Sequence, residues 1–408
     1  MVDKLKENVV SLATEQALYP QEAPAKLKKK KGALFIGIPK ESSYQENRVG
    51  LTPESVRVLV NNGHSVWVET GAGKSSNYSD NEYSDAGAKV IYSQEEVFQA
   101  DLILKVEPPT LEEIEMMREG VTLISALQSG SQTIDFLIAL NRKRITALAY
   151  EFVEDKVGGL PIVRAMSEIA GSSVMLIAAE YLSSANNGLG IILGGITGVP
   201  PTKVVILGAG TVAEYAARAA LGLGVDIAVF DNQIYKLRRL KHALNHQVYT
   251  STIDHATLKK EIKNADVLIG AIRPEKGRNQ CIVTEEMVAS MKDGAVIIEV
   301  GIDQGGCIET SEITSHKNPV YKRHGVTHYC VPNIASRVAR TASNALSNIF
   351  TPMILQIGDA GSVEDMIFSQ KWFMKGIYAH RGGLTNVHIA RKYNLPFKDL
   401  NLLIAARF

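Results

Sequence analysis

Residues 203–231 read KVVILGAGTVAEYAARAALGLGVDIAVFD, and this stretch decides the fold. A β-branched strand enters Gly208-Ala209-Gly210-Thr211-Val212-Ala213, an Ala- and Leu-rich helix follows, and a second apolar strand ends on Asp231. Each part has a physical task. Gly208 permits a tight turn, Gly210 removes the side chain that would hold a pyrophosphate off the backbone, and Ala213 lets helix and strand approach. Thr211 and Val212 open the helix, whose first N–H groups lack partners and whose dipole favours anions. Asp231, about 20 residues on, is placed to accept both hydroxyls of a ribose. A Gly-x-Gly alone says little, but strand, turn, helix, strand and acid in register predict a dinucleotide site. The carboxylate would repel a 2′-phosphate, which favours NAD over NADP; the nearby Arg238 and Arg239 argue the other way.

The same alternation extends outward. Downstream come DVLIGAIR, AVIIEVG and THYCVPN; upstream come LFIGIP, SVWVET, KVIY, LILKV, TLISAL and ITALAYE, separated by helix-length segments. Apolar runs alternating with helices predict parallel sheets, hence an α/β chain with two Rossmann-like doubly wound domains. Between the two series lies IVRAMSEIAGSSVMLIAAEYLSSA, apolar on more than one side and expected as a helix buried between domains beside a cleft. From about residue 338 the chain reads mostly helical, with no third strand series, and is expected to fold back on the first domain. The resulting division is an N-terminal extension over 1–31, a discontinuous substrate domain over 32–162 and 338–408, and a dinucleotide domain over 163–337.

The 408 residues are 45% hydrophobic and 21% charged, ordinary for a globular chain of this size. With 44 basic against 43 acidic residues, the net charge of +1 offers no general field for nucleic acid or an acidic membrane surface. The KLKKKK run ending the extension reads as a solvated tail or an oligomer-edge segment. Three scattered cysteines, Cys281, Cys307 and Cys330, suit neither a disulfide framework nor a metal site. No leader is visible and no apolar run is expected to reach the roughly 20 residues of a membrane span, so a soluble, cytoplasmic protein is predicted. GAGKS at 71–75 lacks the earlier glycine of a phosphate loop, Val68 standing there, and reads as a turn.

Several motifs form a recognisable set: GIPKE, ENRVGLTPESVRVLVNNGHSVWVETGAG, LILKVEPP, MSEIAG, ILGGITGVPP, VVILGAG, IEVGIDQGGC and HYCVPN. In this order, over about residues 33–390, they resemble the alanine dehydrogenase family, whose fold is shared by the NAD-binding component of proton-translocating transhydrogenase. The resemblance implies an NAD-dependent oxidation of a small amino acid or reduction of an oxo acid by a homo-oligomer, a hexamer or a dimer. Arg48, in ENRVGLTP, resembles the family's carboxylate-binding arginine, and Lys105, closing LILKV, its substrate-binding lysine; read alone, either cation could be solvated. Lys105 stands at a strand end, where ligands gather in open α/β sheets. Asp303, in GIDQGG, reads equally as an Asx-turn, whereas the resemblance makes it an acid beside nicotinamide and substrate amine. Glu299 is a weaker competitor. Ser167, Ile302 and Asn333 are similar to positions that line the cofactor.

The chain departs from the pattern at Gln128. Where the family's dehydrogenases carry a histidine after the strand TLISAL, this chain has Leu127-Gln128-Ser129, and Ser172 replaces the arginine that follows MSEVAG. An imidazole exchanges a proton near neutrality, whereas a carboxamide only orients water or a carbonyl. His324 and His328, near HYCVPN, read as structural. The expected activity is NAD-dependent deamination of L-alanine, slow or with an altered substrate. The alternatives are the NAD(H)-binding component of a transhydrogenase, partnered by a membrane subunit, and a non-catalytic NAD-binding protein.

Overall fold

The computed structural model describes residues 32–43, 45–127, 132–273 and 280–405; the N-terminal extension and Gln128 lie outside them. The strands are β1 (Phe35–Ile38), β2 (Ser65–Glu69), β3 (Lys89–Ile91), β4 (Leu102–Leu104), β5 (Thr122–Ser125), β6 (Thr146–Ala149), β7 (Lys203–Leu207), β8 (Asp226–Phe230), β9 (Tyr249–Ser251), β10 (Val267–Gly270), β11 (Val296–Glu299), β12 (Val320–Arg323), β13 (Val326–Tyr329) and β14 (Ile377–Ala379). They form two seven-stranded sheets, ordered β14-β6-β5-β4-β1-β2-β3 and β12-β13-β11-β10-β7-β8-β9. All neighbours run parallel except the edge pairs β14·β6 and β12·β13. The chain is therefore an α/β protein with two Rossmann-like sheets. Strands such as β4, β5, β10 and β11 are buried at every residue, because both faces are covered.

Strand order reverses at the first strand of each sheet. β1 lies between β2 and β4, and β7 between β8 and β10. In sheets of this kind the loops leaving the strands on either side of such a reversal run to opposite faces, and the carboxyl ends of those strands are the usual ligand position.

Four helices matter for the sites: α1 (Leu111–Met116), α2 (Pro161–Leu182), α3 (Thr211–Gly222) and α4 (Ala339–Ala360). α2 packs on both α3 and α4. Gly171 makes the first contact possible, since a Cβ there would lie 2.4 Å from Val212 O. At 22 residues, α2 is long and apolar enough to cross a membrane by length and composition, contrary to the expectation that no run would reach that size. Its Val174, Ile177, Ala178 and Leu182 belong to the core under the second sheet, while Leu176 stays exposed. The tail does return to the first sheet: Leu346, Phe350 and Ile354 of α4 enter its core, and β14 extends its edge beside β6. Ser343 and Ser347 of α4 accept the Val49 and Thr52 N–H groups at 2.9 and 3.0 Å, satisfying a loop that has no ladder partner.

Candidate functional site

At the reversal of the second sheet, β7 ends on Leu207 and Gly208 turns with φ +103°. A Cβ on Gly208 would stand 2.6 Å from Ala271 O, so the turn is wedged against the chain leaving β10. Over Gly210, by contrast, a Cβ would meet nothing within 4 Å. That open space lies directly before Thr211 and Val212, the first residues of α3, whose N–H groups point out of the helix end. Ala213 is fully buried against the sheet. Asp231, one residue past β8, accepts Ala209 N–H at 2.8 Å and Gln233 N–H at 2.7 Å, one on each oxygen. Each oxygen keeps a further acceptor direction. Arg239 donates to Ala209 O at 3.1 Å, so it braces the turn from outside. The open surface over Gly210, the helix end and the carboxylate fit a dinucleotide's pyrophosphate and ribose.

One strand further, β11 runs into a short turn over Ile302–Gln304, with Gly305 and Gly306 at φ +99° and +66°. Ile302 is buried and Asp303 is exposed. Partial desolvation raises the Asp303 carboxyl's pKa, opposed by the Asp303 and Gln304 hydrogen bonds and last by Arg273. Glu299 has a different place. It is fully buried and accepts Cys307 N–H at 2.8 Å and Ile308 N–H at 3.2 Å. Burial pushes its carboxyl up to about 7. Gly270 and Gly306 leave room for it, so Glu299 anchors the loop that carries Asp303 from below.

At the reversal of the first sheet, Glu41 follows β1 and Lys105 follows β4. Lys105 Nζ lies 3.2 Å from Glu41 Oε2 and 3.2 Å from Glu113 Oε1 of α1, with its side chain closed off from solvent. Burial disfavours the ammonium, but the two carboxylates outweigh it and raise the Lys105 pKa. Glu41 behaves otherwise: burial pushes it up to about 7 despite Lys105, because one ammonium is shared between two acids. Its Oε1 also accepts Val106 N–H at 2.6 Å. Arg48 is also buried, though less completely. Its Nε and one terminal nitrogen bond both oxygens of Glu46 at 2.7 and 2.6 Å, and the other terminal nitrogen meets Met166 Sδ at 3.3 Å. Burial works against charge on Glu46, and the Arg48 guanidinium outweighs it, holding that carboxyl below the usual range. The guanidinium fork is thus already engaged, leaving a narrower edge for a ligand than a solvated arginine would offer.

Residues from the second half of the chain close on this cluster. Asn333 Nδ2 donates to Glu46 Oε2 at 2.8 Å, and Ser336 Oγ accepts Asn47 N–H at 2.8 Å while donating to Gln45 O at 2.9 Å. Ser167 sits half-buried on α2 next to Met166. A depression of about 250 Å³ opens beside this seam, between Asn47, Asn77 and the start of α4; it includes neither Lys105 nor Asp303. The structure therefore joins Arg48, Asn333 and the α2 segment of Ser167 through contacts, and sets Lys105 and the Gly208 turn at the reversals of the two sheets. His328 is fully buried, with Thr310 Oγ1 at 2.8 Å and Val326 O at 3.0 Å on its two ring nitrogens, and His324 pairs with Glu285 in the β12–β13 turn. Both are structural. Reading the sequence singled out the cations and missed their acids, Glu41, Glu46 and Glu113. The position of Glu41, three residues past an apolar strand, was the available signal.

A two-sheet α/β protein with a dinucleotide turn at the reversal of one sheet and a buried cationic centre at the reversal of the other defines a class, the nicotinamide-type dehydrogenase fold. Within it, the profiles described as Alanine dehydrogenase/PNT, N-terminal domain and C-terminal domain match residues 37–170 and 174–387. The chain belongs to this alanine dehydrogenase/PNT family. It is 37% identical over 366 residues to alanine dehydrogenase 2 of Staphylococcus aureus strain USA300, covering 90% of this chain and 98% of that one. It is 39% identical over 366 residues to an alanine dehydrogenase of Methanococcus maripaludis, covering 89% and 98%. Among solved structures, an L-alanine dehydrogenase superposes with a TM-score of 0.83 at 35% identity, over 88% of this chain and 99% of that one. A transhydrogenase from Sinorhizobium meliloti superposes with a TM-score of 0.74 at 25% identity, over 86% and 99%.

Proposed function

We propose that the protein is an NAD-dependent amino-acid dehydrogenase that converts L-alanine, NAD⁺ and water to pyruvate, ammonium, NADH and a proton, and runs the reverse amination. The observation that carries this reading is the placement of a buried lysine, Lys105, at the reversal of one sheet and of a dinucleotide turn at the reversal of the other. NAD, when bound, supplies the hydride acceptor; Gly208, Gly210, Thr211, Val212, Ala213 and Asp231 would hold its pyrophosphate and ribose, with Ser167, Ile302 and Asn333 nearer the nicotinamide. Lys105 and the remaining edge of Arg48 bind the substrate carboxylate. Asp303, whose carboxyl is raised by partial desolvation, accepts the proton that the substrate ammonium must lose and returns one to the departing amine. Gln128 orients the water that hydrolyses the imine. The enzyme acts in the cytoplasm as a homo-oligomer. The segment 191–199 supports self-association, since Ile192, Ile196 and Val199 expose much of their apolar surface.

Alanine-dependent NADH formation tests this directly. Asp303→Asn is expected to slow turnover by about a hundredfold or more, and Gln128→His to raise it. Binding of NADH with no turnover of any 2-amino or 2-oxo acid would sink the proposal. One observation favours a second reading, an NAD(H)-binding transhydrogenase component: glutamine instead of histidine at 128 suits a site where no water needs a base. That reading predicts hydride exchange with an NADP-binding partner and no alanine turnover.

A further inference from the structure

The reversal of the first sheet holds more negative charge than an anchor for a carboxylate should. Glu41 and Lys105 leave adjacent strands and meet there, and Lys105 Nζ already touches two carboxylates, Glu41 and Glu113, at 3.2 Å each. A substrate carboxylate docking on this ammonium would be the third anion around one cation. One of the resident acids has to lose its charge or its contact.

The two acids are held differently. Glu113 is fixed by the helix it starts: Oε2 accepts Thr110 N–H at 2.9 Å while Thr110 Oγ1 accepts Glu113 N–H at 3.2 Å, a reciprocal cap. Glu41 is fixed by Val106 N–H at 2.6 Å on Oε1, with a longer 3.4 Å approach of Glu107 N–H on Oε2, the oxygen that also faces Lys105. A proton on Oε2 leaves the strong Oε1 bond intact and turns Oε2 from an acceptor into a donor toward an incoming carboxylate. Glu41 also has the carboxyl that burial already lifts to about 7. The charged and titratable groups around it are Lys105 and Glu107 past β4, Glu113 on α1, Glu46 and Arg48 on its own loop, Glu69 at the end of β2 and Tyr150 past β6. Tyr150 is committed, donating to Val106 O at 2.6 Å.

We propose that Glu41 is a positioning residue that holds Lys105 in place and takes up a proton from solvent when a substrate carboxylate docks on that lysine. This rests on the amino-acid dehydrogenase reading and extends it: substrate binding becomes proton-linked at a residue that never touches the reacting carbon. Affinity for the 2-oxo acid falls as pH rises above the Glu41 titration, while the chemical step follows its own groups.

The test uses the full-length protein saturated with NADH and oxamate, an unreactive isostere of pyruvate. Calorimetry in two buffers of different ionisation enthalpy counts protons, and Kd is followed from slightly acid to alkaline pH. Expected for wild type are a Kd rising toward tenfold per pH unit above about 7 and uptake approaching one proton at alkaline pH. Glu41→Gln flattens both, whereas Glu107→Gln and Asp303→Asn keep the proton count. Zero uptake in wild type overturns the inference and needs no variant to fold. Linkage that persists in Glu41→Gln, or that disappears in Glu107→Gln or Asp303→Asn, also overturns it. L-alanine turnover, measured alongside, separates the two claims. Turnover with a pH-independent oxamate Kd removes the inference alone, and failure of both turnover and oxamate binding removes the proposed function with it.

Discussion

Replacing Lys105 by methionine keeps most of the side chain's volume and removes only its charge and hydrogen bonds, so the cost reports electrostatics rather than a cavity. The lysine is 1% exposed and is the cation shared by Glu41 and Glu113. Taking one partner from a buried ion pair typically costs about 3–5 kcal/mol, because the remaining charge is left without compensation. At about 2–4 °C per kcal/mol for units of this size, Lys105→Met should melt about 6–20 °C below wild type at mildly alkaline pH. The deficit should depend on pH in a defined sense. Glu41 has a folded-state pKa raised from 4.5 to about 7, so the folded protein holds more protons than the unfolded chain, and stability falls as pH rises between those values. Lys105 is a force that lowers the Glu41 pKa, and without it the value climbs further. The variant's deficit should therefore be smallest at about pH 5, where Glu41 is protonated in the folded state, and grow as pH rises above about 7. Circular-dichroism melts of both proteins across that range decide the matter. A variant melting within about 1 °C of wild type at alkaline pH, or a deficit that grows on acidification, would refute the reasoning.

Three further outcomes follow from the same geometry. Gly208→Ala puts a methyl 2.6 Å from Ala271 O at φ +103°, so the turn must shift; NADH affinity, read by nicotinamide fluorescence, should fall at least tenfold, and an unchanged Kd would show that the turn does not hold the cofactor. Asp231→Ser removes the acid at the end of β8 and should weaken NADH while narrowing the preference over NADPH; a preference unchanged in a folded variant would remove Asp231 from cofactor selection. Glu299→Gln removes a buried carboxyl raised from 4.5 to about 7, whose titration destabilises wild type by about 3 kcal/mol as pH rises through that interval. The melting-temperature difference, variant minus wild type, should move upward from acid to alkaline pH, and a constant difference would mean Glu299 does not titrate there.

The dinucleotide turn was legible because all its parts are local: Gly208, Gly210, Ala213 and Asp231 lie within 203–231, and each answers a backbone or ligand requirement that neighbours in sequence express. The two sheets were legible for the same reason, from runs of apolar strand residues. The edges were not. β9 and β14 are three residues long, and β12 mixes charged and apolar residues, so none stands out from a loop without the neighbour that pairs with it. The strand of the tail was hidden inside a segment that read as helix. In the site, Arg48 and Lys105 could be named from their motifs. Their acids could not, since Glu41 and Lys105 are 64 residues apart and become partners only when the sheet orders β1 beside β4. Three-dimensional pairing also changed what the arginine is: a residue that resembled a carboxylate-binding arginine has its fork closed by Glu46.

The antiparallel pairing of β14 with β6 has a consequence during synthesis. Some 230 residues separate the two strands, so the first sheet leaves the ribosome with β6 as an open edge and stays so until residue 379 has emerged. At about 5–20 residues per second, that interval is roughly 10–50 s, far longer than a sheet needs to form. The strands β7 to β13 are all made within it and can assemble first. The order of maturation is thus opposite to the order of translation, and an exposed strand edge is a template for wrong pairing. A nascent chain stalled before β14 is the form of this protein with most need of a chaperone.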